Sequence, residues 1–393
     1  MNYLFVHDAF PGQFIHLLRR LHRQQGAEIL AASRKGTSQK LPVQQIIYEM
    51  PDTASKLGVR QSASALGLDL IRKLQPFVEK GYRPDFIISH ASTGAALYLR
   101  DLFPDARFIS FLEWYYRNPL ATDVNNDQAF HKVCAANAAR NGIMAEEFDG
   151  ADAAYVPTEF QRSQFPKRWQ HAIRVAHEGI DTSKFAPDPT ATFAFGGHEF
   201  TGKDEVITYA ARGMERTRGF PQFMRAIAKV QKERPNAHVL IAGADRKCYD
   251  PGGRGKAGLK SWAEEKVDYD PARTHFVGLV KEPEFIKMLQ VSSLHAYLSI
   301  PFVLSWSCLN AMSVGVPVIA SDNAPVQEVI TDGKNGRLVD PKNVDVIAEH
   351  MVALLNDPAQ AKQVGRAGRE TILADYELAA CVDRQLKLIQ GER

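Results

Sequence analysis

Three arginines follow a predicted strand in the second half of the chain, in the stretch YAARGMERTRGF. Arg212, Arg216 and Arg218 come just before Gly219 and an amphipathic helical pattern. A guanidinium group holds phosphate oxygens with paired hydrogen bonds, and a helix N-terminus also favours negative charge. The spacing therefore predicts a site for a ligand that carries two negative charges. The alternative is a solvated basic turn.

A second segment is predicted to complete this site. After the strand LHAYLS the chain turns at Pro301, and a helix is predicted to begin near Leu304 with Ser305 as its cap. We expect the first amides of this helix to point into the same crevice as the arginines, so the combination predicts a diphosphate site. Asn310 is a polar residue in the otherwise buried pattern of this helix.

Residues with chemical potential also follow strands in the first half. Gly12 lies in HDAFPGQF, where a tight turn either presents backbone amides to an anion or only begins a helix. His90 ends the strand DFIISH, although a lone histidine is more often structural. Glu113 and Tyr115 lie in FLEWYYR, whose mixture of rings and charges suits a sugar-binding surface as well as it suits an ordinary core.

Composition excludes several classes of protein. A chain of 393 residues with 45% hydrophobic and 24% charged residues is typical of a soluble protein with two domains. A net charge of +3 does not favour nucleic acid as a partner. The four cysteines have no paired spacing, which favours reduced thiols. No signal-peptide pattern or membrane-spanning run is visible, so the sequence predicts a cytoplasmic protein.

Short apolar runs alternate with amphipathic stretches, which is typical of parallel sheets covered by helices. The first half has seven predicted strands, at 3–7, 27–33, 44–50, 85–90, 107–113, 153–157 and 173–179. The second half has six, at 206–211, 237–243, 274–278, 294–299, 317–321 and 336–340, and the last helices are predicted at 343–355, 358–373 and 376–390. The fold class is two doubly wound α/β domains, with ligands beyond the carboxyl ends of the strands.

The glycines and charges of residues 193–205 indicate a linker. We therefore predict an N-terminal domain at 1–192, a second domain at 193–375 and a final helix at 376–393. Closure about the linker is expected to bring the two halves of the site together.

Several segments of the chain resemble a known family. The arginine turn followed by PFVLSWSCLNAMSVGVPVIASDNAPVQEVITDGKNGRLVD resembles the donor-binding domain of retaining glycosyltransferases of family four, which have the GT-B fold. FPGQF, FPDARFISFLEWYYR, VPTEFQRSQFP and HEGIDTSKFAPD are similar to one bacterial subgroup, associated with capsule, exopolysaccharide or O-antigen synthesis.

The resemblance implies two Rossmann-like domains that face each other across a cleft, with the final helix packing back on the N-terminal domain. It implies retaining transfer of a sugar from a nucleotide diphosphate sugar, of UDP or GDP type, to a saccharide or lipid-linked saccharide. It implies no metal and no other cofactor. A basic amphipathic helix near the N-terminus, with Arg19 and Arg20, is compatible with peripheral contact with a membrane.

The resemblance also implies roles for single residues on the donor side. Arg212 and Arg218 correspond to the basic pair that holds the diphosphate, at a spacing one residue longer than usual. Val280 and Lys281 match the place where backbone groups meet the nucleotide base, and Ser305 lies at the start of the donor-side helix.

In the N-terminal half, Gly12 corresponds to a glycine loop near the phosphates and the acceptor. His90 corresponds to a histidine that lines the donor-sugar site, so that His90, Arg212 and Arg218 are the candidate catalytic residues. Glu113 and Tyr115 are assigned to the acceptor side.

Two positions depart from the family pattern. Phe302 stands in place of the first glutamate of the motif, and Asn310 in place of the second, which accepts hydrogen bonds from the ribose. An amide oxygen still accepts one such bond. A rival hypothesis is therefore a degenerate member that binds a sugar nucleotide, or partners an active transferase, without turnover. A third is a sugar-nucleotide 2-epimerase, which the shared motifs do not favour.

Two further segments have alternative readings. The sequence DYD at 268–270 imitates a metal motif of other glycosyltransferases, but we predict a solvated loop and no metal. The basic, glycine-rich insert at 244–262 is either a mobile flap over the site or a surface loop.

Overall fold

A computed structural model describes residues 1–34, 43–50, 57–91, 93–117, 127–250 and 256–392, with the backbone alone for residues 127–130. The chain divides into two compact units. The first comprises Met1–Gly179 together with Ala379–Arg393, and the second comprises Ile180–Leu378.

The first unit contains a parallel sheet of seven strands. Its strands, numbered in chain order, are β1 (Asn2–Val6), β2 (Glu28–Ser33), β3 (Gln44–Ile47), β4 (Phe86–His90), β5 (Arg107–Phe111), β6 (Ala153–Val156) and β7 (Ile173–Val175). Its helices are α1 (Ile15–His22), α2 (Val59–Glu79), α3 (Leu99–Leu102), α4 (Asp127–Asp149), α5 (Glu159–Gln164), α6 (Lys167–Gln170) and, at the end of the chain, α14 (Leu378–Gln390). The strand order is β3-β2-β1-β4-β5-β6-β7.

The two central strands of this sheet are β1 and β4. Leu4 pairs with Ile87 across them, and both side chains are fully buried. A strand covered on both faces needs apolar residues at successive positions, which the run YLFV supplies. The winding reverses between these two strands, and in such sheets ligands bind at the carboxyl ends near the reversal. Gly12, His90 and Glu113 follow or end β1, β4 and β5, so all three lie at this edge.

The second unit contains a parallel sheet of six strands and an antiparallel hairpin. Its strands are β8 (Thr192–Phe195), β9 (His198–Thr201), β10 (Val206–Gly213), β11 (His238–Ala244), β12 (Thr274–Gly278), β13 (Leu294–Tyr297), β14 (Val318–Ser321) and β15 (Arg337–Val339). Its helices are α7 (Phe220–Glu233), α8 (Lys260–Lys266), α9 (Glu282–Gln290), α10 (Trp306–Val314), α11 (Ala324–Gln327), α12 (Val344–Asn356) and α13 (Pro358–Asp375). The parallel strands follow the order β12-β11-β10-β13-β14-β15.

This second sheet is covered on both faces. Ile319 packs in a cluster with residues of α7 and α12, whereas its neighbours Val318 and Ala320 pack with residues of α10 and α13. Because successive side chains of a strand point to opposite faces, the two clusters lie on opposite sides of the sheet. The carboxyl ends of the central strands, β10 and β13, lead into the arginine turn and into α10.

Residues 193–205 do not form the predicted linker. Phe193 of β8 and Phe200 of β9 are paired across the hairpin, each 3% exposed, and pack with Leu240 of β11. Gly196 and Gly197 both have positive φ, as a tight hairpin turn requires. The prediction was wrong because these glycines make a turn inside the second unit rather than a flexible connection.

The division between the units falls after Gly179 rather than after residue 192. Phe185, in the intervening segment, is 7% exposed, and its carbonyl accepts a hydrogen bond from Ser313 Oγ at 2.7 Å. Residues 180–191 therefore belong to the second unit. At the other end of the chain, Arg107 Nε donates to the carbonyl of Ile389 at 2.9 Å, which ties α14 to β5 of the first unit.

Candidate functional site

A chain of hydrogen bonds links the ends of β1, β4 and β5 in the first unit. His7 Nδ1 accepts from the amide of Ala9 at 3.0 Å, so His7 Nε2 carries the hydrogen and donates to Gln13 Oε1 at 2.9 Å. Gln13 Nε2 donates to Glu113 Oε1 at 2.5 Å, and His90 Nε2 donates to Glu113 Oε2 at 3.1 Å. The two predicted site residues His90 and Glu113 are thus in direct contact.

His90 and Glu113 form a charged pair. Burial disfavours the imidazolium, but the hydrogen bond to Glu113 and its charge outweigh burial and raise the pKa of His90. Burial likewise disfavours the carboxylate, but the hydrogen bond from His90 and its charge lower the pKa of Glu113. The side chains are 12% and 32% exposed, and because Glu113 occupies Nε2 of His90, the other ring nitrogen, Nδ1, is the one left to contact a ligand at the strand ends.

Gly12 gives His7 its place in this network. Its φ is +49°, and a Cβ at this position would lie 2.3 Å from His7 Nε2. A side chain there would displace the imidazole and break its hydrogen bond to Gln13. This contact accounts for glycine at this position, and the predicted role of Gly12 beside donor phosphates stays a prediction.

Tyr115 packs in an aromatic cluster of the first unit. Its ring lies 5.4 Å from that of Phe165 and 5.9 Å from that of Trp169, edge to face with the indole. Tyr115 and Trp169 also line a cleft of about 600 Å³, together with Arg117. Packing thus explains part of the aromatic run FLEWYYR, and the acceptor-side role of Tyr115 stays a prediction.

Arg218 is a buried cation of the second unit, 9% exposed. Its Nη1 donates to Ser299 Oγ at 3.1 Å, and its guanidinium carbon lies 4.8 Å from the ring centroid of Tyr249 and 5.5 Å from that of Phe302. In the described part of the chain no carboxylate forms an ion pair with Arg218. The charge of Glu215 attracts Arg218 without forming an ion pair, so an anionic ligand at this place would make the direct contact that the guanidinium lacks.

Arg212 lies at the exposed end of β10. Its Nη1 donates to the hydroxyl of Tyr249 at 3.4 Å. Tyr249 therefore contacts both of the arginines that the sequence assigned to the diphosphate.

Two carboxylates fasten the loop at 246–250 to the arginine turn. Glu215, fully buried, accepts hydrogen bonds on Oε2 from three successive amides, those of residues 248–250, at 2.8 to 2.9 Å. In return the carboxylate of Asp250 accepts from two amides of the turn, at residues 216 and 217, at 3.1 and 2.9 Å. The loop and the turn thus hold each other in a fixed geometry.

The insert that contains this loop is also held at its far end. The amide of Lys247 donates to the carbonyl of Lys256, and the amide of Leu259 to the carbonyl of Met214, both at 2.9 Å. Residues 251–255, which include Arg254 of the predicted flap, lie outside the described residues. The described part of the insert is a fixed structure beside the arginine turn rather than a free flap.

Ser305 caps α10, as predicted. Its Oγ accepts from the amide of Ser307 at 3.3 Å, and its own amide donates to the hydroxyl of Tyr297 at 2.9 Å. Tyr297 ends β13, two residues before Ser299, the partner of Arg218. The start of α10 and Arg218 therefore meet at the carboxyl end of β13, and the contact of Ser305 with a donor stays a prediction.

Asn310 lies within α10 and is 9% exposed. Counting only described residues, its side chain makes no hydrogen bond. Asn335, 6% exposed, makes three. Neither Oδ1 nor Nδ2 of Asn310 is among the fully buried polar atoms that lack a partner, so its amide group reaches the surface and is available to a ligand.

Val280 and Lys281 lie between β12 and α9. Val280 packs against a small apolar cluster, and Lys281 is exposed, its carbonyl accepting from the amide of Phe285 at the start of α9. In the sheet, β11 separates β12 from β10, so these residues lie two strands away from Arg212. Their predicted place near the base stays a prediction.

The DYD segment is a solvated loop, as predicted. Asp268 pairs with Lys232 at 2.9 Å, and Asp270 with Arg273 at 2.7 Å. Within the described ranges, no three or more His, Cys, Asp or Glu residues are arranged to hold a metal ion. Among the helices of the same ranges, none has both the length and the apolar character needed to cross a bilayer.

Four residues of the hydrogen-bond network around His90 and of the arginine turn with its neighbouring loop were not identified from the sequence. His7 and Gln13 flank the Pro-Gly turn after a buried strand, and their polarity at a strand end was a usable signal. Glu215 is the one acidic residue within the arginine turn. Tyr249 gave no signal, because it lies 31 positions after Arg218 in an insert and reaches it only through the fold.

Two family models match the chain. Residues 25–185 match the glycosyl transferase family 4 group, and residues 192–371 match glycosyl transferases group 1. The first match lies largely in the first unit, and the second lies within the second unit.

Curated relatives share low identity over long stretches. The GDP-mannose-dependent alpha-(1-6)-phosphatidylinositol monomannoside mannosyltransferase of Mycolicibacterium smegmatis is 25% identical over 261 residues, which cover 62% of this chain and 63% of that protein. The GDP-mannose-dependent monoacylated alpha-(1-6)-phosphatidylinositol monomannoside mannosyltransferase of Corynebacterium glutamicum is 27% identical over 226 residues, 54% of this chain and 55% of that protein. The chain thus spans less than two thirds of the length of these relatives.

Solved structures match over the whole chain. The sucrose-phosphate synthase of Thermosynechococcus elongatus has a TM-score of 0.73 at 17% identity, covering 100% of this chain and 98% of that one. The Anabaena protein HepE in complex with UDP-glucose has a TM-score of 0.71 at 12% identity, covering 100% of both. At such identities the likeness concerns the fold. With both family matches, it leads to one conclusion: the chain belongs to the family 4 glycosyltransferases and has the GT-B fold.

Proposed function

We propose that the chain transfers a sugar from a nucleoside diphosphate sugar to a saccharide or lipid-linked saccharide, with retention at the anomeric carbon and without a metal ion. The observation that carries this proposal is the state of Arg218, a cation that is 9% exposed, lies over the rings of Tyr249 and Phe302, and makes no ion pair with a carboxylate in the described part of the chain. A diphosphate supplies a negative charge in direct contact with the guanidinium, which Glu215 does not.

The relatives support a donor of this chemical class. The two mannosyltransferases are named for their dependence on GDP-mannose, and the Anabaena structure contains UDP-glucose. We therefore propose a hexose donated from GDP or UDP. Asn310, buried and without a hydrogen bond to described residues, is proposed to accept from the ribose of that nucleotide.

In the proposed reaction the chain acts by placement and by stabilising charge. Arg212 and Arg218 are proposed to stabilise the departing diphosphate, a role that metal ions fill in other transferases. His90, whose charged form Glu113 favours, is proposed to donate a hydrogen bond from Nδ1 to an oxygen of the donor sugar. The acceptor hydroxyl is proposed to attack from the side of the leaving group, which retains the configuration without a protein nucleophile.

Two observations bear on the class of acceptor. The names of the mannosyltransferases specify phosphatidylinositol mannosides as acceptors. In this chain α1 buries its leucines and exposes Arg19 and Arg20, although Arg20 also lies 3.5 Å from Asp383. We propose a saccharide acceptor of a bacterial surface polysaccharide or glycolipid, reached with peripheral contact of α1 with anionic lipid.

A second candidate function is a degenerate member that binds a sugar nucleotide without turnover. The observation that favours it is Phe302, whose ring lies 5.5 Å from the guanidinium of Arg218 at the position where the family motif has its first glutamate. A phenyl ring cannot accept a hydrogen bond from a donor sugar. Turnover, rather than binding, distinguishes the two candidates.

The test is isothermal titration of the full chain with UDP, GDP and their hexose conjugates, followed by product analysis with saccharide acceptors. Arg218→Ala is the test variant, and Arg225→Ala is the control, because Arg225 also stacks on a ring, that of Trp262 at 5.0 Å, but is exposed on α7. We expect micromolar binding that Arg218→Ala weakens at least tenfold and Arg225→Ala leaves unchanged. Binding with a glycosylated product supports transfer, binding without product supports the degenerate member, and no binding refutes both.

A further inference from the structure

We infer that Tyr249 is a positioning residue, which sets the two guanidinium groups of Arg212 and Arg218 in place before a diphosphate arrives. This inference rests on the proposed donor site. The ring of Tyr249 lies 4.8 Å from the guanidinium carbon of Arg218, and its hydroxyl accepts from Arg212 Nη1 at 3.4 Å. One side chain therefore contacts both arginines through two different interactions.

Two neighbouring aromatic rings contact Arg218 from one side. Besides Tyr249, the ring of Phe302 lies 5.5 Å from its guanidinium carbon, and the two rings are themselves 5.3 Å apart. Aromatic faces attract a cation without neutralising its charge or using its N–H groups. These two rings, which we call the aromatic pair (Tyr249 and Phe302), thus orient Arg218 and leave its charge for a ligand.

Phe302 is the member of the aromatic pair at which this chain departs from the family motif. A carboxylate at position 302 would add a negative charge on the side of Arg218 that the Phe302 ring now covers, in competition with a diphosphate. A phenyl ring cannot do so. Phe302 and Tyr249 therefore act together. Both contact Arg218 through an aromatic ring, and neither places a carboxylate beside it.

The backbone of Tyr249 is held in place independently of the aromatic pair. Its amide and those of its two neighbours donate to the buried carboxylate of Glu215, which lies in the arginine turn itself. Asp250 returns two hydrogen bonds to the same turn. These hydrogen bonds join the loop of Tyr249 to the arginine turn. Tyr249 therefore keeps a constant position relative to Arg218, unlike a side chain on a free loop.

The experiment compares the affinities of nucleoside diphosphates and monophosphates for the full chain by isothermal titration. The variants are Tyr249→Ala, which removes both contacts, and Tyr249→Phe, which removes only the hydroxyl that contacts Arg212. Tyr249 is 36% exposed, so neither change leaves a large cavity. The control is Trp262→Ala, which removes a ring from Arg225 at 5.0 Å, a stacked pair of the same kind on α7 and α8.

We expect Tyr249→Ala to weaken binding of UDP or GDP about tenfold, equivalent to about 1.4 kcal/mol, and Tyr249→Phe to weaken it about threefold. Binding of UMP or GMP should change less than twofold, because a monophosphate lacks the second phosphoryl group that a pair of arginines holds. Equal losses for both ligands, an unchanged diphosphate affinity, tighter binding by Tyr249→Ala, or the same loss in Trp262→Ala would each overturn the inference.

A second measurement needs no nucleotide. In protein labelled with ¹⁵N-arginine, the Nε–H signal of Arg218, assigned by its loss in Arg218→Lys, should exchange slowly with water and should exchange at least tenfold faster in Tyr249→Ala. An unchanged rate overturns the inference. If the wild-type protein binds no nucleotide while this difference is present, the proposed donor site is wrong, and the inference that Tyr249 positions Arg218 is still supported.

Discussion

His90 and Glu113 stabilise each other in their charged forms, with His90 Nε2 3.1 Å from Glu113 Oε2. Because the pKa of His90 is raised, its contribution to stability is full below its ordinary value of 6.5 and is lost as the pH rises through the folded pKa. Because the pKa of Glu113 is lowered, its contribution is present above 4.5 and is lost as the pH falls through the folded pKa. The pair is therefore most stabilising between pH 4.5 and 6.5.

Glu113→Gln should lower the pKa of His90, since burial then acts on the imidazolium without a compensating negative charge. The titration of His90 by NMR measures this directly. The same variant should lose the most stability between pH 4.5 and 6.5 and less above it. Glu159→Gln is the control, because Glu159 pairs with Arg162 on an exposed helix face of the same unit. An unchanged His90 titration in Glu113→Gln would show that the two groups are not coupled.

Asn310→Leu should cost less than about 1 kcal/mol of stability, because no hydrogen bond to a described residue is lost. Asn335→Leu is the matched control. Asn335 is buried to a similar degree but accepts from the amide of Thr331 and donates to Val329 and Thr371. Its replacement should cost about 3 kcal/mol, because buried partners are left unsatisfied. Urea denaturation of both variants checks the difference.

The nucleotide affinities of these two variants should run in the opposite order. Asn310→Leu should weaken binding of UDP or GDP by about fivefold to tenfold, since an acceptor for the ribose is lost. Asn335→Leu should leave the affinity unchanged where the protein is still folded. If Asn310→Leu destabilises as much as Asn335→Leu and binds nucleotide normally, then Asn310 is a structural residue and its proposed contact with the ribose is wrong.

Most of the fold was predictable, because buried parallel strands have a strong local signature. All thirteen predicted strands overlap observed ones, since runs such as VITYAA and AHVLIAG are apolar at successive positions between amphipathic helices. The hairpin of β8 and β9 was not predicted because its strands are four residues each and β9 begins with two exposed polar residues, His198 and Glu199. The place of residues 180–191 depended on Phe185 packing against a helix more than 120 residues later, which no local pattern encodes.

The candidate site was predictable where residues lie at strand ends and hidden where they come from an insert. His90, Glu113, Arg212 and Arg218 follow strands whose sheet edge is fixed by topology. Tyr249 lies in a segment without periodicity, and its contact with Arg218 depends on hydrogen bonds to a single buried carboxylate.

Two histidines of the second unit, His238 and His275, should make its stability dependent on pH. The rings of His198, His238 and His275 lie 5.1 to 5.4 Å apart, and His238 Nδ1 is 3.1 Å from His275 Nε2. Burial and the charges of the other two histidines lower the pKa of His275 to about 4. Burial also lowers the pKa of His238, with His198 and Arg273 acting in the same direction and Asp204 and Asp270 opposing them.

The unfolded chain therefore binds more protons than the folded one between pH 6.5 and about 4, and stability should fall as the pH falls through this window. His275→Phe should flatten this dependence in urea denaturation measured at a series of pH values. Phe200→Leu is the control, because its ring lies 5.4 Å from that of His275 but does not titrate. It should lower stability by a similar amount at every pH. A slope in His275→Phe as steep as in the wild type would contradict the prediction.

Gly219 and Gly197 differ in why they must be glycine: one for its backbone conformation alone, the other also for lack of space. Both have positive φ, +67° and +84°, so alanine is strained at either place by about 1 kcal/mol. At Gly197 a Cβ would meet nothing within 4 Å, whereas at Gly219 it would lie 2.1 Å from the carbonyl oxygen of Leu298. Because that obstacle is backbone at the end of β13, it cannot rotate away, and Gly219→Ala should cost at least about 3 kcal/mol in urea denaturation.

Gly219 also joins the arginine turn to α7, so the displacement in Gly219→Ala must move Arg218, whose carbonyl accepts from the hydroxyl of Tyr209 at 3.0 Å. The variant should therefore lose nucleotide affinity as well as stability, while Gly197→Ala loses only the stability of a strained turn. Equal destabilisation by the two substitutions would mean that backbone conformation alone decides both positions. A Gly219→Ala protein that is destabilised but binds nucleotide normally would separate the packing of the turn from the placement of Arg218.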